Sequence, residues 1–254
     1  TREIRWLTKL AHFSPLNIQH IKGTHNVIAD NLSRNPENSK DPLIILDLFS
    51  GSPSMLRSIE KLWDAGHLQT SLIRYEAIER DEHSRAAIAA VHSKLVKKNI
   101  PLSCDPFVIG DSCMHGVDNL ASMLPNPSSH HLRKFLHSCH LVIAGPPCQG
   151  VSAAGKNEGM KHKEDGRAYL MDIHAHLHPN TSFIYENVPG LLRPVHHELL
   201  QLLSSKFGDP VQLEAPGPQK RQRIFFSNHD LSQATALQDM ETWGLAQTWQ
   251  QALD

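Results

Sequence analysis

Cysteine is scarce in this sequence: four residues, at 104, 113, 139 and 148, with no C-x-x-C pair among them. That spacing excludes a zinc ribbon, a dithiol redox motif and a disulfide framework, and leaves reduced thiols as the expectation. Net charge is all but absent, with 25 Lys and Arg against 26 Asp and Glu and a pI near 7.0. Neither a basic tail nor a charge-driven disordered chain has that balance. No apolar run approaches the roughly 18 residues of a membrane span, and Thr1 is followed by charge rather than by a signal peptide. A soluble intracellular protein with no membrane partner is expected, and the missing initiator Met is expected of a fragment. Internal repeats and low-complexity tracts are also lacking.

Core-forming residues are present in ordinary supply. With Gly counted in place of Tyr, roughly 44% of the residues are apolar, and a folded chain of this length buries about 70 to 75% of its unfolded surface. Histidine is frequent, as in His130-His131, His137 and His140. No Cys or carboxylate stands at metal-ligand spacing beside these residues, so exposed polar positions are expected and no metal.

Residues 1–34 read as a short helix with apolar Ile4, Leu7, Leu10 and Ala11, a strand over 16–21, a turn at Gly23 and a second helix from about Asn26. The stretch NLSRNPENSKDP at 31–42 then gathers Asn, Ser, Pro and charge without periodicity, and a domain boundary is expected there, with the linker at 35–42. From Leu43 onward short apolar runs alternate with amphipathic stretches. The runs are LIILDLF at 43–49, SLIRYEAI at 71–78, PFVIG at 106–110, HLVIAG at 140–145, SFIYEN at 182–187 and RIFFS at 223–227. Near-continuous apolar runs of this kind suit parallel strands covered on both faces. Helices are expected near 54–66, 82–98, 167–177 and 195–206, giving an α/β fold with a doubly wound, mostly parallel sheet.

In such a sheet ligands bind outside the carboxyl ends of the strands, so the polar residues closing each run carry the chemistry. The first run closes in Asp47-Leu48-Phe49-Ser50-Gly51, followed by Ser52, which can cap a helix, and Pro53, which can occupy its first turn. The second closes in Glu79, suited to ribose hydroxyls, and the third in Gly110-Asp111; together they resemble a nucleoside pocket. The fourth run leads into Gly145-Pro146-Pro147-Cys148-Gln149-Gly150-Val151-Ser152, the fifth closes in Glu186-Asn187-Val188, and Arg221 and Arg223 open the last. A nucleophile, an acid and two cations on one rim suit addition to an electron-poor ring, with the acid at a ring nitrogen.

This ordered series resembles the cytosine-5 DNA methyltransferase family over about residues 43–228. Its most specific elements are GPPCQGVS at 145–152, YENV at 185–188 and PQKRQR at 218–223. The resemblance implies a Rossmann-like, class I S-adenosylmethionine-dependent methyltransferase fold, with S-adenosyl-L-methionine as cofactor and DNA as partner. It assigns Phe49, Ser50 and Gly51 to the cofactor turn, Glu79 to the ribose, Asp111 to the adenine amine and Pro147 to the cofactor's edge. Cys148 would attack carbon 6 of a flipped cytosine while Glu186 holds ring nitrogen 3. Arg223, with Arg221 nearby, would support the base, and a nuclear location follows from the substrate. Asn187 would brace the cysteine loop, and it counts with Gln149 and Ser152 as substrate-binding, the latter two facing DNA. The segment from Gly155 to Arg167 would close over the target, with Lys156, Lys161, Lys163 and Arg167 on phosphates.

Two positions depart from the family's pattern: Pro53-Ser54 stands where a Gly pair is usual, and LEAPG at 213–217 where an aromatic-Gly pair is common. No stretch after about residue 228 resembles a target-recognition region or the family's closing motif, so the catalytic domain, 43–254, is expected to be truncated on its C-terminal side. The first 34 residues resemble the end of the ribonuclease H domain of long-terminal-repeat retrotransposons, through RWLTKL and LNIQHIKGTHNVIADNLSR. Asp30 would match that domain's last metal-binding carboxylate, whose companions are not in this chain, so no metal is expected. The other domains of a retroelement polyprotein are then expected partners. Two rivals stand beside DNA methylation: tRNA methylation, whose branch has Pro where this chain has Gly150, and a non-catalytic or decayed cofactor-binding module.

Overall fold

The computed structural model describes residues 42–68, 70–103, 106–107, 116–152, 166–215, 221–229 and 231. The ribonuclease H resemblance, the expected linker up to residue 41, Asp111 and the lysines at 156, 161 and 163 lie outside the described residues.

Five apolar residues and one aspartate, LIILDL, make β1 (Leu43–Leu48), and every one is buried because helices cover both faces of the sheet. Alternation along β1 divides the core in two. Leu43 and Ile45 pack into one cluster with Ile73, Tyr75 and Ala77 of β2 (Ile73–Ile78), against Leu56 and Ile59 of α1 (Ser54–Asp64) and Ile88 and Leu95 of α2 (Glu82–Lys97). Ile44, Leu46 and Leu48 face the other cluster, which takes in α3 (Val117–Met123), α4 (His130–Ser138), α5 (Arg167–His174) and α6 (His197–Phe207). On that face Phe183 and Tyr185 stack at 4.8 Å, and His174 sits edge-on to both while its Nδ1 lies 2.9 Å from the Tyr185 hydroxyl.

β1, β2, β3 (Leu141–Ala144) and β4 (Ser182–Asn187) run parallel, and β6 (Arg221–Ser227) joins antiparallel to β4 and to β5 (Val211–Ala215). The order is β2-β1-β3-β4-β6-β5, a mixed α/β fold with a mostly parallel central sheet, as expected. The strand expected at 106–110 is not seen: Pro106 and Phe107 form a turn, and 108–110 lie outside the described residues. A short edge segment flanks β2 there, with Ile73 N donating to Pro101 O, Ser103 N to Ile73 O and Ala77 N to Pro106 O. Pro101 and Pro106 have no amide to extend a ladder.

The helix boundaries expected at 54, 82 and 167 match the first residues of α1, α2 and α5. The capping expected of Ser52 is corrected: Pro53 is the N-cap of α1, and the Ser52 hydroxyl donates to Ser54 Oγ at 3.3 Å. The helix expected at 195–206 begins at His197, after two 3-10 turns at Pro189–Leu192 and Pro194–His196. Among the described residues no helix is long and apolar enough to cross a membrane.

Candidate active site

Chain progression reverses between β1 and β3, which are hydrogen-bonded neighbours, and a crevice opens outside the carboxyl ends of strands at such a point. A cleft of about 930 Å³ lies there. It falls within the size range of small-molecule sites, roughly 300 to 1,000 Å³. Seven of the residues picked out by sequence share its walls: Phe49, Glu79, Pro147, Cys148, Gln149, Glu186 and Arg223.

The nucleoside end is built by backbone geometry. Phe49 and Gly51 both take left-handed φ values, 55° and 56°. Glycine adopts that region without penalty, whereas an aromatic residue there costs on the order of 1–3 kcal/mol. The conformation is held from below, where Ser50 N donates to Ile78 O at 3.3 Å and Ser50 Oγ to Asp47 O at 2.8 Å. Ser50 therefore shapes the turn through its neighbours. Glu79 ties this turn to the next one: its Oε2 accepts from Gly51 N and its Oε1 from Asp81 N, each at 2.7 Å. Each oxygen keeps a second lone pair for a further donor.

Three features of this end were missed in the sequence. Asp47 is 5% exposed, and the Tyr75 hydroxyl donates to its Oδ2 at 2.7 Å. Burial pushes its carboxyl up to about 7 against the pull of Tyr75 and Ser50. Arg80, on the cleft wall, pairs with Asp118 at 2.8 Å, and Gly116 leaves the room this pair uses. Burial raises the Asp118 carboxyl, but the Arg80 guanidinium holds it below the ordinary value. Gly166 is the third: a Cβ there would lie 2.4 Å from Phe49 Cζ and 3.2 Å from Pro147 Cδ.

At the other end, Val151 N and Ser152 N both donate to Cys148 O, at 3.0 and 2.8 Å, which curls the chain after the thiol into a tight turn. Gly190 packs on that turn, and a Cβ would lie 2.0 Å from Val151 O, so no side chain fits. Glu186 ends one position before the last residue of β4, and antiparallel β6 brings Arg223 alongside it. Arg223 Nε lies 2.5 Å from Glu186 Oε1, and its Nη1 donates to Gln222 O. Arg221 opens β6 opposite Ala215.

Two of the expected residues are buried: Asn187 is 3% exposed and its Oδ1 accepts from Val188 N at 2.9 Å at the end of β4, and Arg167 is 1% exposed at the start of α5. His130, His131, His137 and His140 are exposed, as expected, although His140 Nδ1 also accepts from Ile44 N.

Fold and cleft thus define an α/β protein with a left-handed turn after β1 and a thiol on one edge of the sheet. Residues 128–210 match the family model described as C-5 cytosine-specific DNA methylase, a stretch holding Cys148 and Glu186. The chain is 25% identical over 161 residues to the Type II methyltransferase M.AplI of Arthrospira platensis, covering 54% of this chain and 46% of that one. It is 33% identical over 75 residues to the Type II methyltransferase M.Bpa9945I of Bacillus paralicheniformis, covering 28% and 17%. The chain therefore spans less than half the length of these curated relatives. Among solved structures, the methyltransferase subunit of a type I restriction-modification system from Streptococcus thermophilus aligns over 88% of this chain and 47% of its own, with 13% identity and a TM-score of 0.47. The family match and the two relatives support the methyltransferase family, and with it S-adenosyl-L-methionine as cofactor.

Proposed function

We propose that this chain carries the catalytic half of a DNA cytosine-5 methyltransferase. The observation that carries the proposal is that Cys148, Glu186 and Arg223 share one cleft with Phe49 and Glu79. The residues fit the cofactor: the Phe49 ring offers an apolar face for a purine, and the spare lone pairs of Glu79 match ribose hydroxyls. When bound, S-adenosyl-L-methionine supplies an electrophilic methyl group.

The chain's own residues would prepare the base to accept it. The Cys148 thiolate adds to carbon 6 of cytosine, forming a C–S bond and moving an electron pair toward carbon 5. Glu186, protonated, gives its proton to ring nitrogen 3, and Arg223 holds the carboxyl group in place for that transfer. After alkylation, the proton on carbon 5 leaves to water, the C–S bond breaks, nitrogen 3 returns its proton to Glu186 and the thiolate is regenerated. The base must leave the duplex first, since stacking blocks attack from above the ring, at a cost of a few kcal/mol.

The test is covalent capture on a duplex containing 5-fluorocytosine, which cannot lose its 5-substituent as a proton. A cofactor-dependent, denaturant-stable adduct that is lost in Cys148→Ala supports the proposal. An adduct that persists in Cys148→Ala, or heat of cofactor binding with no transfer to DNA or tRNA, overturns it in favour of another nucleophile or a non-catalytic module. Transfer to tRNA alone selects the RNA-directed rival. Placement in the nucleus and beside a retroelement ribonuclease H belongs to the same proposal and rests on the substrate and on residues 1–34.

A further inference from the structure

Phe49, Pro147 and Gly166 come from three separate parts of the chain and crowd one point of the cleft. Phe49 follows β1 at the nucleoside end, Pro147 immediately precedes Cys148, and Gly166 caps α5. A Cβ on residue 166 would lie 2.4 Å from Phe49 Cζ, 2.5 Å from Phe49 Cε1 and 3.2 Å from Pro147 Cδ. The first two separations are closer than non-bonded carbons approach, and the third leaves almost no slack. The Phe49 backbone cannot yield easily, because its left-handed φ of 55° is fixed by the Ser50 hydrogen bonds to Ile78 and Asp47. Pro147 is a ring with a locked φ. Any side chain at 166 must therefore displace the Phe49 ring, the surface that a purine would meet.

We propose that Gly166 is a positioning residue: lacking a Cβ, it seats the Phe49 ring beside Pro147, so that occupancy of the nucleoside end is transmitted to the placement of Cys148. The proposal rests on the cofactor reading of that end. It assigns Gly166 no contact with either substrate. Packed interiors pass such shifts on because neighbours have little room to relax. If Phe49 moves toward or away from a bound purine, the pyrrolidine against the same point moves with it, and Cys148 is the next residue along the backbone.

The experiment uses the full chain, with S-adenosyl-L-homocysteine binding followed by calorimetry and Cys148 alkylation by iodoacetamide followed on its own peptide by mass spectrometry. Saturating S-adenosyl-L-homocysteine should change the Cys148 alkylation rate about fivefold in the wild type, the low end of coupling between two sites. In Gly166→Ala the change should shrink to less than about twofold at saturation. Phe49→Leu approaches the same contact from the other side and should give the same loss, with the double variant losing no more than either single one. Phe49→Leu also keeps the test decisive should Gly166→Ala fail to fold. A full fivefold change in either variant, or additive losses in the double one, overturns the proposal. Bound S-adenosyl-L-homocysteine with no change at Cys148 in the wild type overturns it too. Absence of any binding heat in the wild type is a different failure, because it removes the cofactor reading itself.

Discussion

Arg223 Nε sits 2.5 Å from Glu186 Oε1, and this contact joins two strands that run in opposite directions. The contact keeps the Glu186 carboxyl group at one orientation, which is what the proposed hold on a ring nitrogen requires. Glu186→Gln should lower methyl transfer by about 10²- to 10⁴-fold, the usual worth of a positioned acid. Arg223→Lys should recover only part of what Arg223→Ala loses, because an ammonium lacks the planar fork of a guanidinium. Incorporation of labelled methyl groups into DNA measures both, and equal rates for Lys and Ala at 223 would show that the fork has no part.

Asp47 should make stability depend on pH in the direction opposite to a surface carboxylate. Its folded value, raised from 3.8 to about 7, means that the folded protein holds this proton more tightly than the unfolded chain. The stabilisation is complete below about pH 4, declines as pH rises, and is gone above about 7. Asp47→Asn keeps an acceptor for the Tyr75 hydroxyl and removes the titration. At pH 8 the variant should be more stable than the wild type by roughly 1 to 4 kcal/mol, with the gap closing towards pH 4. Thermal melts across that range decide the matter, and a gap that is flat with pH would contradict it.

Glu79 serves two backbone amides, Gly51 and Asp81, so its loss should affect binding more than folding. Glu79→Gln turns one acceptor oxygen into a donor facing an amide. Affinity for S-adenosyl-L-homocysteine should fall at least about tenfold, or about 1.4 kcal/mol, while the melting temperature changes little. Calorimetry beside a thermal melt separates the two quantities.

Gly190 lies outside the cleft and should still control it. A methyl group at 190 meets the Val151 carbonyl at 2.0 Å, two residues from the Cys148–Gln149 bond. Gly190→Ala should destabilise the fold by about 1–3 kcal/mol, as overpacking does. Methyl transfer should fall more steeply than the folded fraction, which a melt and a labelled assay on one preparation would reveal.

What the sequence disclosed and what it withheld divide along a physical line. Apolar runs revealed β1, β2, β3 and β4, because strands buried on both faces leave an unbroken signature. α3 and α4 are short, seven and nine residues, and went unread although α4 sets Leu132, Phe135 and Leu136 on one buried face, and β5 alternates polar with apolar at the sheet's edge. Cys148, Glu186 and Arg223 were legible as motif residues because Cys148 follows β3, Glu186 stands near the end of β4 and Arg223 near the start of β6, all on the ligand edge. The Arg80 to Asp118 pair and the crowding at Gly166 and Gly190 depend on residues far apart in sequence, and only packing reveals them. The burial of Asn187 and Arg167 was not legible, because a polar residue at an element's end can turn outward to solvent or inward to the core.

β1 and β3 pair directly, with Leu48 opposite Ala144 and Gly145 N bonded to Leu48 O. The separation between the nucleoside turn and the thiol loop is therefore set by peptide geometry, about 4.8 Å from strand to strand. Side-chain drift cannot alter it. On the proposed mechanism, a lineage could lose Cys148 to one base change and recover the reaction by a single reversion, because the spacing of the two loops is not encoded in the residue that was lost.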